Sequence, residues 1–211
     1  RALDAGKHVL CEKPLAMHAN EFDAVIAKRD ATGLLAAEAY MIVHHPQWQR
    51  AKALYEAGVI GNLQLVDGVF SYFNDDANNI RNKPETGGGS LPDIGVYTFG
   101  SARFVTGEEP TTCQTHIRRE NGVEVFAHVT ADFPSFRYSS ITSMRMALRQ
   151  EMTFHGDKGV MRLTAPFNAG VYSMAELSVE RNGMVVETER WPAVNHYVEQ
   201  VENFGSRQGV R

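Results

Sequence analysis

Val9-Leu10-Cys11-Glu12-Lys13-Pro14, close to the N-terminus, decides how the rest of the chain is read. Three apolar residues of strand character run into an acid, a lysine and a proline that cannot donate to a sheet ladder. Lys7 to Cys11 therefore reads as a short buried strand with Lys13 at its carboxyl end, the edge where open α/β sheets bind ligands. Upstream, Arg1 to Ala5 reads as a last helical turn stopped by Gly6. Downstream, Asn20 is expected to cap a helix that carries Phe22, Val25, Ile26 and the stem of Arg29 on one face and closes at Gly33. Leu34 to Met41 reads as a second buried strand. Pro46 then opens a helix bearing Trp48, Ala51, Leu54 and Tyr55, stopped at Gly58. Strand, helix, strand, helix within about 55 residues marks βαβ units and a parallel sheet.

At Gly61-Asn62 the pattern changes, and the domain boundary is set there. Leu63 to Phe73 reads as a long strand, Asn74 to Gly89 as an irregular polar run, and Asp93 to Thr106 as a helix. From Thr111 strands dominate. Val123, Val125, Ala127, Val129, Ala131 and Phe133 alternate with more polar neighbours at a period of two. His155-Gly156-Asp157-Lys158-Gly159 is a turn, and Asn182-Gly183 is a strong hairpin signal. Asn195 caps a final helix with Val198, Val201 and Phe204 on one side, running to Arg211. The expected fold class is α/β plus α+β. Residues 1–62 form the C-terminal remnant of a Rossmann, doubly wound domain. Residues 63–211 form a mostly antiparallel open sheet with helices on one face.

The chain has 211 residues, 43% hydrophobic and 22% charged, an ordinary globular composition. A net charge of −4 argues against binding to nucleic acid or an anionic membrane. Cys11 and Cys113 form no Cys-x-x-Cys pair, so a reducing, cytoplasmic setting is expected. No apolar run approaches the ~18 residues of a membrane span.

Several stretches together resemble one family. Cys11-Glu12-Lys13-Pro14-Leu15-Ala16 is similar to the Glu-Lys-Pro signature of the Gfo/Idh/MocA oxidoreductases. Glu38-Ala39-Tyr40-Met41 with His44-His45-Pro46-Gln47 resembles the family's next strand and helix entry. Gly87-Gly88-Gly89-Ser90-Leu91-Pro92-Asp93-Ile94-Gly95-Val96-Tyr97 resembles its Gly-Gly-Gly-x-Leu-x-Asp-x-Gly-x-His/Tyr motif. Arg103-Phe104 and Gly107-Glu108-Glu109-Pro110 follow as in the branch of glucose–fructose oxidoreductase, xylose dehydrogenase and dihydrodiol dehydrogenase. The resemblance covers nearly the whole chain, truncated at both ends. It implies NADP or NAD as cofactor and a sugar-like small-molecule substrate. A homo-oligomer formed through the C-terminal sheet is expected because an open sheet face of this size would otherwise leave a large exposed patch.

The chemistry of the residues agrees. Oxidising an alcohol sends a hydride to a nicotinamide and a proton to a base. Asp93 and Tyr97, four apart, share a helix face. A lysine beside the phenol would lower its pKa and let a Tyr–Lys pair hold the substrate hydroxyl and shuttle its proton. Lys13 and Tyr97 are thus the expected catalytic pair, with the choice of base left open. The resemblance implies that Asp93 orients the substrate, and that Glu12, Lys13 and Pro14 lie near the cofactor. His45 and Arg81 are expected to reach substrate. No metal is expected, because His44-His45 lacks a third ligand at zinc-like spacing. Taken singly, each residue has an ordinary explanation: a solvated lysine, a half-buried tyrosine, an Asp93 that caps its helix.

Two departures stand out. The family usually places Asp or Asn three residues after the His/Tyr position, and here that residue is Gly100. No Gly-x-Gly-x-x-Gly occurs, so the loop that cradles a pyrophosphate is missing. The polypeptide alone is expected to be inactive. The intact protein is expected to be an NAD(P)-dependent sugar-type dehydrogenase or reductase. The alternative is a non-catalytic, dinucleotide-binding sensor or repressor of the same fold.

Overall fold

A computed structural model of the chain describes residues 1 to 207; the expected helix over 208 to 211 lies outside the described residues. Strand β1 (Val9–Glu12) pairs in parallel with β2 (Ala36–Ala39), joined by helix α1 (Glu21–Thr32). This is one βαβ unit. Asn20 does not cap α1 through its side chain. The Glu21 carboxylate accepts the Met17 and His18 N–H groups instead. The expected apolar stripe of α1 buries nothing among the described residues, and Val25 and Ile26 are exposed. β2 is also shorter than expected. The chain leaves it at Tyr40 and tightens into a 3₁₀ turn, Met41–His44, that leads into Pro46.

Helix α2 (Pro46–Glu56) falls before the expected boundary at residue 62, yet it packs on the second sheet. Trp48 is fully buried, stacks on Phe167, meets Phe154 edge-on and donates its indole N–H to the Pro166 carbonyl at 2.7 Å. Measured by packing, α2 belongs with the large sheet.

That sheet has eight strands in the order β10-β9-β8-β7-β3-β6-β5-β4. They are β3 (Leu63–Phe73), β4 (Thr112–Glu120), β5 (Val123–Asp132), β6 (Arg137–Ser143), β7 (Arg145–Gly156), β8 (Val160–Leu163), β9 (Ala175–Arg181) and β10 (Met184–Trp191). Every neighbouring pair is antiparallel except β3 with β6. Helices α2 and α3 (Val96–Thr106) cover one face, where Val66 and Phe70 of β3, Ala127 and Val129 of β5, and Met152 and Phe154 of β7 form the core. The other face is open but is not the apolar patch that the sequence suggests. Asp67 of β3 stands beside Ser139 and Thr153, and Glu151 pairs with Arg162 at 2.6 Å.

Helix α4 (His196–Arg207) starts where expected, with Asn195 Oδ1 accepting the Tyr197 N–H at 3.0 Å. Its buried face, however, is His196 and Gln200, while Val198 and Val201 are exposed. Among the described residues no helix is long and apolar enough to cross a membrane.

Candidate active site

The carboxyl end of β1 delivers Lys13 to the turn that precedes α3. That turn, Leu91–Gly95, is a π-helical turn, a wider coil than an α-helix and one often found at functional sites. Asp93 sits inside it and is not the helix cap. Its N-terminal side is held instead by the buried Glu124, whose carboxylate accepts from Ser90 Oγ and from the Leu91 N–H at 2.8 Å.

Three side chains converge on Asp93. Its Oδ1 lies 2.9 Å from Arg81 Nε and 3.6 Å from Lys13 Nζ, and its Oδ2 accepts the Tyr72 hydroxyl at 2.6 Å. Lys13 also donates to the Asp93 carbonyl oxygen. Its ammonium stands over the Tyr97 ring, 4.7 Å from the centroid. These residues line a cleft of about 420 Å³, together with Glu12, Leu148, Asn168 and Tyr197. That is the volume of a small-ligand pocket.

Tyr97 differs from expectation in one respect that matters. Lys13 meets the ring face and not the hydroxyl, so it does not lower the phenol pKa. Burial dominates and pushes Tyr97 well above the ordinary tyrosine range. The ring is mounted in the core against Phe70, Phe167 and Tyr40. Among the described residues its hydroxyl has only the Met41 sulfur, at 3.5 Å, a weak acceptor. Burial acts oppositely on Lys13 and pushes its pKa below the ordinary lysine value, against the pull of Asp93.

The other expected residues divide. Glu12 lines the cleft and Pro14 follows at the exposed end of β1. Arg81 is carried by the irregular loop 74–89, which Arg145 staples to the sheet by donating to the Asn74 carbonyl and to Asn82 Oδ1. His45 is not brought to the cleft. It is fully buried, its Nδ1 accepts the Gln47 N–H at 3.1 Å as the cap of α2, and its ring meets Trp191 and His196 edge-on. Burial, with some help from His196, pushes its pKa down to about 4. A histidine neutral in the fold but ordinary when unfolded supports stability fully above pH 6.5 and withdraws that support as pH falls toward 4. The full swing is roughly 3 kcal/mol. His45→Asn keeps a capping acceptor and removes the titration. Its urea-unfolding stability is expected to fall less steeply than wild type from pH 6.5 to 4, and parallel slopes would refute the assignment.

Tyr72, Leu148, Asn168 and Tyr197 were not singled out from sequence. Tyr72 was reachable, because in the alternation of β3 it shares a face with Phe70. Gly100 also finds a reason. A Cβ there would lie 2.5 Å from the Tyr40 hydroxyl, which donates to the Val96 carbonyl at 2.8 Å. The missing side chain is the room that Tyr40 takes when it stacks on Tyr97.

No Gly-x-Gly-x-x-Gly loop, the pattern that cradles a pyrophosphate, occurs in the sequence. Among the described residues no three His, Cys, Asp or Glu side chains gather as a metal site.

Comparison with known proteins agrees with the geometry. Residues 48–162 match the family model of the GFO/IDH/MocA C-terminal domain. An uncharacterized oxidoreductase of Rhizobium meliloti is 33% identical over 98% of this chain and 64% of its own length. The D-xylose 1-dehydrogenase (NADP(+)) 2 of Haloferax volcanii is 32% identical over 96% of this chain and 63% of its own. A 3-ketoreductase from Actinomadura kijaniata, solved with NADP and TDP-benzene, superposes with a TM-score of 0.87 at 26% identity, covering 98% of this chain and 64% of that one. The chain thus spans just under two thirds of the length of these three proteins.

Proposed function

Because the chain belongs to the GFO/IDH/MocA family, we propose that the intact protein is an NAD(P)-dependent oxidoreductase acting on a sugar-type alcohol or carbonyl. One observation carries this reading. The Lys13 ammonium, the Asp93 carboxylate and the Tyr97 ring meet in a single cleft at the carboxyl edge of β1. When bound, the dinucleotide supplies hydride acceptance or donation. In this reading β1 and β2 close the dinucleotide-binding domain, and the large sheet is the substrate domain.

The roles follow from the opposite pKa directions. Lys13, pushed down by burial, reaches its neutral form more readily and takes the proton of the substrate hydroxyl. Tyr97, pushed up, stays neutral and donates a hydrogen bond to the same oxygen. Asp93, held by Arg81 and Tyr72, keeps Lys13 in register and offers the substrate an acceptor. Further support comes from the ketoreductase. A lysine and a tyrosine have been replaced singly in it, and they stand as far apart in its sequence as Lys13 and Tyr97 do here. Free Cys11 and Cys113 suit a reducing, cytoplasmic setting.

The full-length protein, assayed with NADP and with NAD against aldoses, polyols and dihydrodiols, is expected to reduce a cofactor with at least one of them. Cofactor binding without turnover on any would overturn the enzyme reading in favour of a dinucleotide-binding sensor.

A further inference from the structure

The cleft lining is mixed in character. It holds the charged groups Glu12, Lys13, Arg81 and Asp93 together with the side chains of Tyr197 and Leu148, 48% and 56% exposed, and the Asn168 amide. An aromatic and an aliphatic side chain exposed together in a cleft that also carries polar groups offer a ligand apolar surface to cover. Tyr197 is held there for a local reason. The Asn195 cap fixes the first turn of α4, and the Tyr197 ring packs edge-on against the buried His196 at 4.6 Å. The ring is therefore positioned without being buried.

A cyclic sugar has the same mixed character. Its hydroxyls radiate from the ring edge, and its C–H bonds form apolar faces. We propose that Tyr197 is a specificity-determining residue that stacks on the C–H face of a ring-form sugar. Leu148 flanks the ring, and the Asn168 amide, which makes no side-chain hydrogen bond among the described residues, meets a ring hydroxyl. This inference rests on the reading of the protein as a sugar-type oxidoreductase. It adds a selection for ring over open-chain substrates, made by side chains that form no hydrogen bond to Lys13, Asp93 or Tyr97 among the described residues.

The test uses the full-length protein, NADP or NAD, and the best aldose found for the wild type. Tyr197→Ala is expected to raise KM for the aldose roughly tenfold, the factor that about 1.4 kcal/mol carries. The kcat and the KM for the cofactor should stay within about threefold. Tyr197→Phe keeps the ring face and is expected to keep the wild-type KM. An open-chain polyol, which has no ring face, should be insensitive to both changes. An aldose KM unchanged in Tyr197→Ala overturns the inference. So does a loss in Tyr197→Phe equal to that in Tyr197→Ala, which would assign the effect to the hydroxyl. A rise in both KM values with a lowered melting temperature would also overturn it, by showing that Tyr197 only supports α4. A wild type with no turnover would instead count against the oxidoreductase reading itself.

Discussion

Lys13→Ala in the full-length protein is expected to lower kcat by roughly a thousandfold, within the range that positioned acid–base groups contribute. Dinucleotide binding, followed by fluorescence, should survive, because one side chain at the strand end is a small part of such a contact. Lys13→Arg separates two roles that the alanine merges. Arginine keeps the positive charge beside Asp93 and over the Tyr97 ring but cannot lose its proton near neutral pH. If Lys13 is the base, Lys13→Arg is almost as impaired as Lys13→Ala. The rising limb of the oxidation pH profile, expected below the ordinary lysine value of 10.5, disappears with it. An arginine variant with near-normal turnover would leave Lys13 as a fixed charge and move the proton to another group.

Asp93→Asn follows from the same cluster, with a different signature. Asp93 holds the Lys13 pKa up against the effect of burial. Removing its charge should therefore shift the oxidation limb to lower pH than in wild type, while kcat at the plateau falls by roughly a hundredfold through lost orientation. Asp93→Ala goes further. It leaves Lys13 and Arg81 as neighbouring cations without a counter-charge and strips the Tyr72 hydroxyl of its acceptor. Breaking a buried pair from one side costs about 3–5 kcal/mol. The Arg81 side chain is 43% exposed, so solvent screening brings the expected loss to about 2 kcal/mol. Chemical denaturation measures it. A limb that moves upward in Asp93→Asn, or an Asp93→Ala as stable as wild type, would show that the carboxylate does not govern the lysine.

The parts of the fold that were legible in sequence are those where local chemistry and burial agree. Leu63–Phe73 was read at its observed bounds because a long apolar strand is flanked by Gly61-Asn62 on one side and a polar run on the other. Asn195 and Asn182-Gly183 do locally what side-chain capping and a positive-φ hairpin turn require. Elsewhere tertiary packing overrode the pattern. Val25 and Ile26 have helical spacing but nothing to bury against among the described residues. Val198 and Val201 face outward because α4 is seated through the polar His196, whose ring meets the buried His45 edge-on.

The site divided in the same way. Lys13, Asp93 and Arg81 could be named from spacing and resemblance, since their meeting follows from the topology of the turn before α3. The electrostatic sense of Tyr97 could not. Whether an ammonium sits at a phenol's oxygen or over its ring is set by a few ångströms of packing against Phe70 and Phe167, which no spacing in the chain records. His45, expected to reach substrate from a helix entry, instead caps that entry: its ring nitrogen lies two residues before the N–H it accepts.

The position of β3 bears on how the protein acquires activity as it is made. β3 is the strand whose two neighbours both come from far along the chain, Arg137–Ser143 in parallel and Arg145–Gly156 antiparallel. Pairings this distant in sequence are the slow events of folding, because the loop must close before the contacts form. Tyr72, near the end of β3, therefore gains a rigid mount only after Ser143 to Arg149, the partners of its neighbours Ser71 and Phe73, have been made. Asp93, Arg81 and Lys13 are synthesised earlier and wait for it. The charged cleft is then among the last parts of the molecule to assemble, and recovery of activity on refolding should lag behind recovery of helical signal.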